Sequence, residues 1–307
     1  MRASIVITTQ NRQELLPDLI ASCSSQIYHD LEILLYDDAS SDATYDVALE
    51  LSKADSRIKV HHSDKSSGLI NARNNAYKIA TGEVIIVIDD DARFSESETV
   101  QKIVSQFELS NEIGAVAIPH VDVEYNNRKW NEIPSNSDCD TYFITLNYIG
   151  TAHAIRKDVF IHLGGYPNYF ERQEEELFVA YKLFKHDLRV SVVDASPILH
   201  YESPKRDLSK IMYYWSRNTI INVMTFYPIL IALVYVILAP WIFIFNSKKK
   251  NALNESRYTS SIMKGCYDAC KSYSRALFDN KYRLTYREFL RMRKIKGNVV
   301  CKSLPYK

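Results

Sequence analysis

Val84-Ile85-Ile86-Val87-Ile88-Asp89-Asp90-Asp91 is the stretch on which the architecture turns. Five apolar residues, all β-branched, predict a strand covered on both faces, and three carboxylates emerge where it ends. Upstream, helix and strand signals alternate. Leu69–Ala80 has helical spacing, Ile58–Val60 is a short strand, Asp42–Ala54 a helix, and Glu32–Tyr36 an apolar strand running into Asp37-Asp38. Glu14–Ser24 is a helix through Leu15, Leu19 and Ile20, preceded by the β-branched run Ala3–Thr8. Such alternation predicts an α/β fold: a mostly parallel sheet with helices on both faces. Ligands then sit at the carboxyl ends of the strands. The polar clusters fall there: Thr8-Thr9-Gln10-Asn11-Arg12, Asp37-Asp38-Ala39-Ser40 and Asp89-Asp90-Asp91.

Downstream the pattern loosens. Gly114–His120 and Cys139–Leu146 read as strands joined by a polar connection over 121–138, and Arg156–Leu163 as a short helix closed by Gly164-Gly165. Glu174–His186 reads as a helix with an acidic first turn, suited to the positive end of its dipole. Arg189–Val193 is a last strand, His200 follows it, and Asp207–Thr225 is an aromatic-rich helix. Two basic helical segments, about 256–278 and 285–296, end the chain. The expected division is a catalytic domain over 1–205, with halves of about 1–95 and 96–205, then a helical region over 206–307.

Of 307 residues, 46% are hydrophobic and 24% charged, which excludes disordered, collagenous and coiled-coil chains. The opening MRASIVITT lacks the apolar run of a signal peptide. Cys23, Cys139, Cys266, Cys270 and Cys301 include no C-x-x-C pair, and read as reduced thiols. The net charge of +1 conceals an acidic body and a basic tail: residues 247–307 hold 16 Lys+Arg against 4 Asp+Glu. Tyr227–Phe245 is uncharged and runs into Lys248-Lys249-Lys250. That order favours a membrane over nucleic acid as the tail's partner. With Pro228 and Pro240 near its ends, the apolar stretch is barely long enough to span. It is expected to lie in the cytoplasmic leaflet, with a true span or a dimer interface as alternatives.

Three adjacent carboxylates repel unless a cation lies among them, so Asp89-Asp90-Asp91 points to Mg²⁺ or Mn²⁺ completed by water and a substrate's phosphates. The plainer alternative is a helix-capping cluster. With these residues on the page, the sequence resembles glycosyltransferase family 2, the inverting enzymes of GT-A fold, of the bacterial polysaccharide type. The resemblance is carried in order by residues 5–12 (IVITTQNR), 36–42 (YDDASSD), 68–74 (GLINARN), 81–92, 163–166 (LGGY), 173–177 (QEEEL) and His200. It implies that Thr8, Thr9, Asn11, Arg12, Asp37, Asp38, Arg73, Asp89 and Asp90 bind the nucleotide, with Asp38 accepting from a pyrimidine imide. It implies Asp91, Asp89 and His200 around the metal, and Glu174 as catalytic base with Glu175 as the alternative. Gln173 and Ala180 depart from the family pattern, which leaves the register open by one residue. A solvated acidic turn is the plainer reading of that segment.

The expected activity is transfer of a sugar from UDP or dTDP, with inversion, to a saccharide acceptor, lipid-linked, in surface polysaccharide synthesis at the cytoplasmic face of the cell membrane. Gly150-Thr151 and Gly164-Gly165 are expected to let backbone approach the ligands. Arg217-Asn218 resembles an element of polysaccharide-synthesising relatives that could face phosphate, or else lies on a helix surface. An anionic membrane surface and a second copy of the chain are candidate partners. The competing functions are a catalytically inactive nucleotide-binding or scaffold protein of the same fold and a nucleotidyltransferase; against the latter, no Gly-rich phosphate loop lies near the N-terminus.

Overall fold

The computed structural model describes residues 1–123, 128–130, 142–146, 148–201, 207–250, 255–295 and 300–302. In chain order the first half comprises β1 (Ala3–Thr9), α1 (Leu16–Ser24), β2 (Leu31–Asp37), α2 (Thr44–Ala54), β3 (Ile58–His62), α3 (Leu69–Ile79), β4 (Val84–Ile88), β5 (Ala92–Arg93), α4 (Thr99–Glu108), β6 (Ile113–Ala117), β7 (His120–Asp122) and β8 (Arg128–Trp130). The second half comprises β9 (Tyr142–Thr145), β10 (Ala152–Arg156), α5 (Lys157–His162), α6 (Glu175–Lys185), β11 (Arg189–Val192), β12 (Ile198–His200), α7 (Leu208–Phe226), α8 (Ile229–Lys250), α9 (Glu255–Tyr273), α10 (Tyr286–Ile295) and β13 (Val300–Lys302).

Among the described residues the main sheet has nine strands in the order β13-β9-β11-β6-β10-β4-β1-β2-β3. β3, β2, β1 and β4 are parallel, as the alternation predicts. β10 runs antiparallel between β4 and β6, so the sheet is mixed. Strand residues alternate between two cores. Val6, Leu34, Ile85 and Val87 face α3, α5, α6 and the C-terminal helices. Ile5, Ile33, Ile86 and Ile88 face α1 and α4. With both faces covered, β2 and β4 are buried throughout, which is why their sequences carry no polar alternation.

Several expectations are corrected. The run Gly114–His120 is broken at Pro119: β6 stays in the main sheet, while β7 joins a second sheet of order β5-β12-β7-β8. The connection expected over 121–138 contains strand at both β7 and β8; residues 124–127 and 131–140 lie outside the described ones, as does the start of the strand expected from Cys139. His200 ends a strand of its own, β12. Helix α4 was not anticipated, although Val100, Ile103, Val104 and Phe107 have helical spacing and are all buried.

The C-terminal helices pack on the sheet. A Cβ at Gly265 in α9 would meet the side chain of Ser216, the Tyr213 carbonyl at 2.5 Å and the Arg217 amide at 3.1 Å, so α7 and α9 touch backbone to backbone. Gly265→Val must push them apart and is expected to cost about 1–3 kcal/mol. A denaturant titration checks this: an unchanged midpoint would mean that the crossing is looser than the geometry states. Helix α8 buries Ala232, Ala239 and Phe243 against this bundle and exposes Leu230, Val234, Ile237, Trp241 and Phe245 on its other side.

Candidate active site

Strand β4 ends at the middle of the sheet, and its three carboxylates take three different partners. Asp89 accepts from Arg73 Nη2 at 2.6 Å. Asp90 accepts from Thr9 Oγ1 at 3.0 Å and lies 3.5 Å from Arg12 Nε. Asp91 lies 3.4 Å from His200 Nε2. Burial, with the Asp91 charge added to it, pushes the Asp90 carboxyl up to about 7. Burial also raises the Asp89 pKa, although the Arg73 guanidinium opposes it.

Arg73 organises the second group. It is buried in α3, and its Nη1 reaches Glu175 Oε1 at 3.3 Å and Glu176 Oε1 at 3.4 Å at the start of α6. Both glutamates are buried and both pKa values are raised, Glu175 by desolvation and Glu176 by desolvation and the Glu175 charge, against the pull of Arg73. One guanidinium thus faces three carboxylates, a surplus of negative charge that favours a cation or a proton. Glu175 Oε2 and Arg73 Nε are buried without a hydrogen-bond partner. The cluster closes over Gly150, where an added Cβ would lie 2.5 Å from Glu176 Oε1 and 3.1 Å from Arg73 Nη1. The close approach expected at Gly150 is therefore to these protein side chains. At Gly165, held at φ +68°, it is to Asn74 of α3, whose Oδ1 would be 2.8 Å from a Cβ.

Sequence register left Glu174 and Glu175 as alternatives, and tertiary packing treats them differently. Glu174 stands at the N-cap position of α6 at φ +70°, and its carbonyl accepts from Asn222 of α7. The carboxylates that meet Arg73 are Glu175 and Glu176. Glu176, in the same acidic run 173–177, joins the cluster without having been among the expected site residues.

His200 is brought to Asp91 by strand pairing: β12 runs antiparallel to β5, with His200 opposite Ala92. Its Nδ1 lies 2.7 Å from Asp122 Oδ1. Burial disfavours its charge, but the hydrogen bonds with Asp91 and Asp122 outweigh burial and raise its pKa. Asp122, supplied by β7, carried no signal in the sequence. Among the described residues no three His, Cys, Asp or Glu side chains are arranged to hold an ion unaided. Asp91 with His200 nevertheless suits a divalent ion that takes its remaining ligands from water and phosphate. A carboxylate on Nδ1 leaves Nε2 as the ligating nitrogen and sets the ring's orientation. Asp89 is held by Arg73 and lies within electrostatic reach of both Asp91 and His200.

At the β1–β2 edge, Thr8 is partly exposed beside Tyr36, and Asn11, at φ +56°, binds the next loop through Ser40 Oγ and the Ser41 amide, both at 2.8 Å. Asp38 accepts from Ser66 Oγ, from the Ser67 amide and hydroxyl, and from the Gly68 amide at 2.8–3.0 Å, anchoring the loop that leads into α3. Asp37 is fully buried on His62 Nδ1 at 2.7 Å and on the Ser40 hydroxyl, and so lies beneath the edge. Arg217 and Asn218, expected at a phosphate or on a helix surface, instead contact the loop before α6.

A mixed α/β sheet with carboxylates at the end of β4, an acidic helix start across from them and a histidine beside them is an arrangement of the GT-A fold class. The chain matches the glycosyl transferase family 2 model over residues 4–164, and it belongs to that family. It is 40% identical over 91 residues to the GalNAc(5)-diNAcBac-PP-undecaprenol beta-1,3-glucosyltransferase of Campylobacter jejuni, covering 29% of each chain. It is 39% identical over 88 residues to the UDP-Glc:alpha-D-GlcNAc-diphosphoundecaprenol beta-1,3-glucosyltransferase WfgD of Escherichia coli, covering 29% of this chain and 34% of that one. These matches span about a third of the relatives' length. In fold it is similar to the mannosyltransferase PcManGT of Pyrobaculum calidifontis, solved with GDP-Man and Mn²⁺, at TM-score 0.61 and 18% identity over 89% of this chain and 88% of that one. It is likewise similar to S. aureus TarS 1-349 with UDP-GlcNAc, at TM-score 0.59 and 19% identity over 96% and 79%.

Proposed function

We propose that the chain is an active inverting glycosyltransferase that moves a sugar from UDP or dTDP to a lipid-linked saccharide in bacterial surface polysaccharide synthesis. The observation that carries this reading is the Arg73 cluster, which joins Asp89 at the end of β4 to Glu175 at the start of α6. Glu175 is the base. Arg73 holds one of its oxygens, the other has no protein partner, and burial gives it the basicity to accept a proton from the acceptor hydroxyl. As that proton moves to Glu175, the acceptor oxygen bonds to the anomeric carbon from the face opposite the diphosphate. The bond from that carbon to the diphosphate oxygen breaks, and the configuration inverts. Thr9, Arg12 and Asp90 hold the nucleoside side of the donor, with Thr8, Asn11 and Asp38 at the base. Asp91 and His200 hold Mg²⁺ or Mn²⁺, which when bound neutralises the charge developing on the leaving diphosphate. The undecaprenol-linked substrates named for the bacterial relatives support the lipid-linked acceptor.

The decisive comparison is between two variants. Glu175→Gln is expected to lower kcat for sugar transfer by about a hundredfold or more, with donor KM within about twofold. Glu174→Gln is expected to retain most activity. The reverse ranking would return the base to Glu174. Full activity in both would refute a carboxylate base at this helix start. No nucleotide binding and no turnover in the parent would favour the inactive scaffold.

The membrane reading concerns α8. Its apolar window Ile229–Asn246 is only 17% buried, and its outer side bears an open apolar groove of about 370 Å³ lined by Leu230, Ile231, Val234, Tyr235, Leu238 and Ile242. The helix is long and apolar enough to cross a bilayer. It is also packed along α7 and α9, and α9 carries Lys264, Asp268 and Lys271, which a spanning bundle would have to desolvate. We therefore favour α8 lying in the cytoplasmic leaflet, with the basic tail on anionic headgroups. Replacing Leu238 and Trp241 by Ser is expected to lower co-sedimentation with phosphatidylglycerol vesicles about tenfold or more. Undiminished binding would exclude this face.

A further inference from the structure

The segment 169–174, which delivers Glu175 and Glu176 to Arg73, has an unusual backbone: Gln173 and Glu174 are consecutive non-glycine residues in the left-handed region, at φ +67° and +70°. A non-glycine residue in this region is strained by its Cβ and persists only where its surroundings impose it. What surrounds this segment is one face of α7. Asn218 Nδ2 donates to the carbonyls of Arg172 at 2.8 Å and Gln173 at 2.9 Å, and Asn222 Nδ2 to that of Glu174 at 3.1 Å. Arg217 Nη2 donates to the Tyr169 carbonyl at 3.1 Å, and the Tyr214 hydroxyl to the Glu171 carboxylate. Residues 214, 218 and 222 are spaced by four and share one helix stripe. Asn218 and Asn222 are fully buried, and Arg217 is locked by Asn218 Oδ1 at 2.6 Å and the Tyr273 hydroxyl at 2.7 Å.

We propose that Asn218 and Asn222, with Arg217 bracing them, are positioning residues: they collect three successive carbonyls, hold the left-handed turn, and so set where the Glu175 carboxylate stands against Arg73 and Asp89. Removing Asn218's donors takes their side-chain partner from the Arg172 and Gln173 carbonyls, and removing Asn222's leaves the Glu174 carbonyl with the Phe178 amide alone, so the segment relaxes toward ordinary backbone geometry. Because α7 leads into α8 after only Tyr227 and Pro228, the helix that holds the base continues into the apolar one. The proposal rests on Glu175 being the base, but its first measurement does not.

Asn218→Asp keeps shape while removing both donors, and Asn222→Leu removes the third. In the full-length protein, hydrogen–deuterium exchange over 169–177 is expected to rise about tenfold in each, with β1 and β4 unchanged. In transfer assays kcat is expected to fall about a hundredfold, with nucleotide-donor KM within about twofold. Unchanged exchange over 169–177 in both folded variants overturns the proposal whether or not sugar is transferred. Loss of nucleotide affinity in step with activity also overturns it, returning the row to a phosphate-facing role. If one variant fails to fold, the other carries the same readouts. A parent that turns over no donor refutes the proposed function, while the exchange comparison still decides the positioning role.

Discussion

Arg73→Met is expected to abolish detectable sugar transfer and to lower stability by about 3–5 kcal/mol at pH 7, because it strands buried carboxylates without their counter-charge. Arg73 is the sole cation on Glu175 and Glu176 among the ion pairs described, and it also holds Asp89. The sign of the pH dependence follows from the glutamates, whose folded-state pKa values are already raised and would rise further without Arg73. Between the unfolded value, about 4.3, and the raised one, the folded state binds more protons than the unfolded state. The variant's stability therefore falls as pH rises through that window, and the gap to the parent widens as pH rises above the parent's own raised values. Urea titrations across that range test this. Adding Glu175→Gln and Glu176→Gln to Arg73→Met should recover much of the stability and none of the activity. A pH-independent loss would show that Arg73 acts by packing rather than by charge.

Asp91→Asn is expected to lower transfer by about a thousandfold, corresponding to about 4 kcal/mol of transition-state stabilisation, with little change in melting temperature. The fold should tolerate it because Asp91 is partly exposed, and the backbone bond from the Tyr201 amide to the Asp91 carbonyl, 2.8 Å, survives. EDTA should reduce the parent to the variant's level, and Mn²⁺ or Mg²⁺ should restore only the parent. Comparable rates with and without chelator would exclude a divalent ion from the reaction. Asp122→Asn is the graded companion: it leaves Asp91 in place but disturbs the histidine that faces it, and should weaken the apparent metal affinity about 10–100-fold.

The legible part of this protein was the part with local causes. β1, β2 and β4 announce themselves because strands covered on both faces are mostly apolar, the buried Ser4 and Glu32 being bonded to each other, and the polar residues after each strand mark the ligand edge. What escaped depended on partners distant in sequence. β10, AHAIR, carries no strong strand signal, and its antiparallel insertion between β4 and β6, with the antiparallel pairing of β9 to β11, makes the sheet mixed. The run through Pro119 reads as one strand, because composition does not say that β7 leaves for a second sheet. Asp122 carries no local pattern at all; it matters only through the parallel pairing of β7 with β12, where it stands opposite His200. Helix α4 is different: the spacing of Val100, Ile103, Val104 and Phe107 is a local signal.

The sequence by itself determined the α/β class, the family, the carboxylate cluster at the end of β4 and the presence of an apolar helix followed by lysines, since each follows from short-range periodicity or from residues close along the chain. Tertiary packing, not local sequence, brings Glu175 rather than Glu174 to Arg73, because a helix start presents successive side chains in different directions and the two partners lie 102 residues apart. It likewise decided that Asn218 and Asn222 serve the loop before α6, since a buried amide's role is set by whichever carbonyls the fold brings to it.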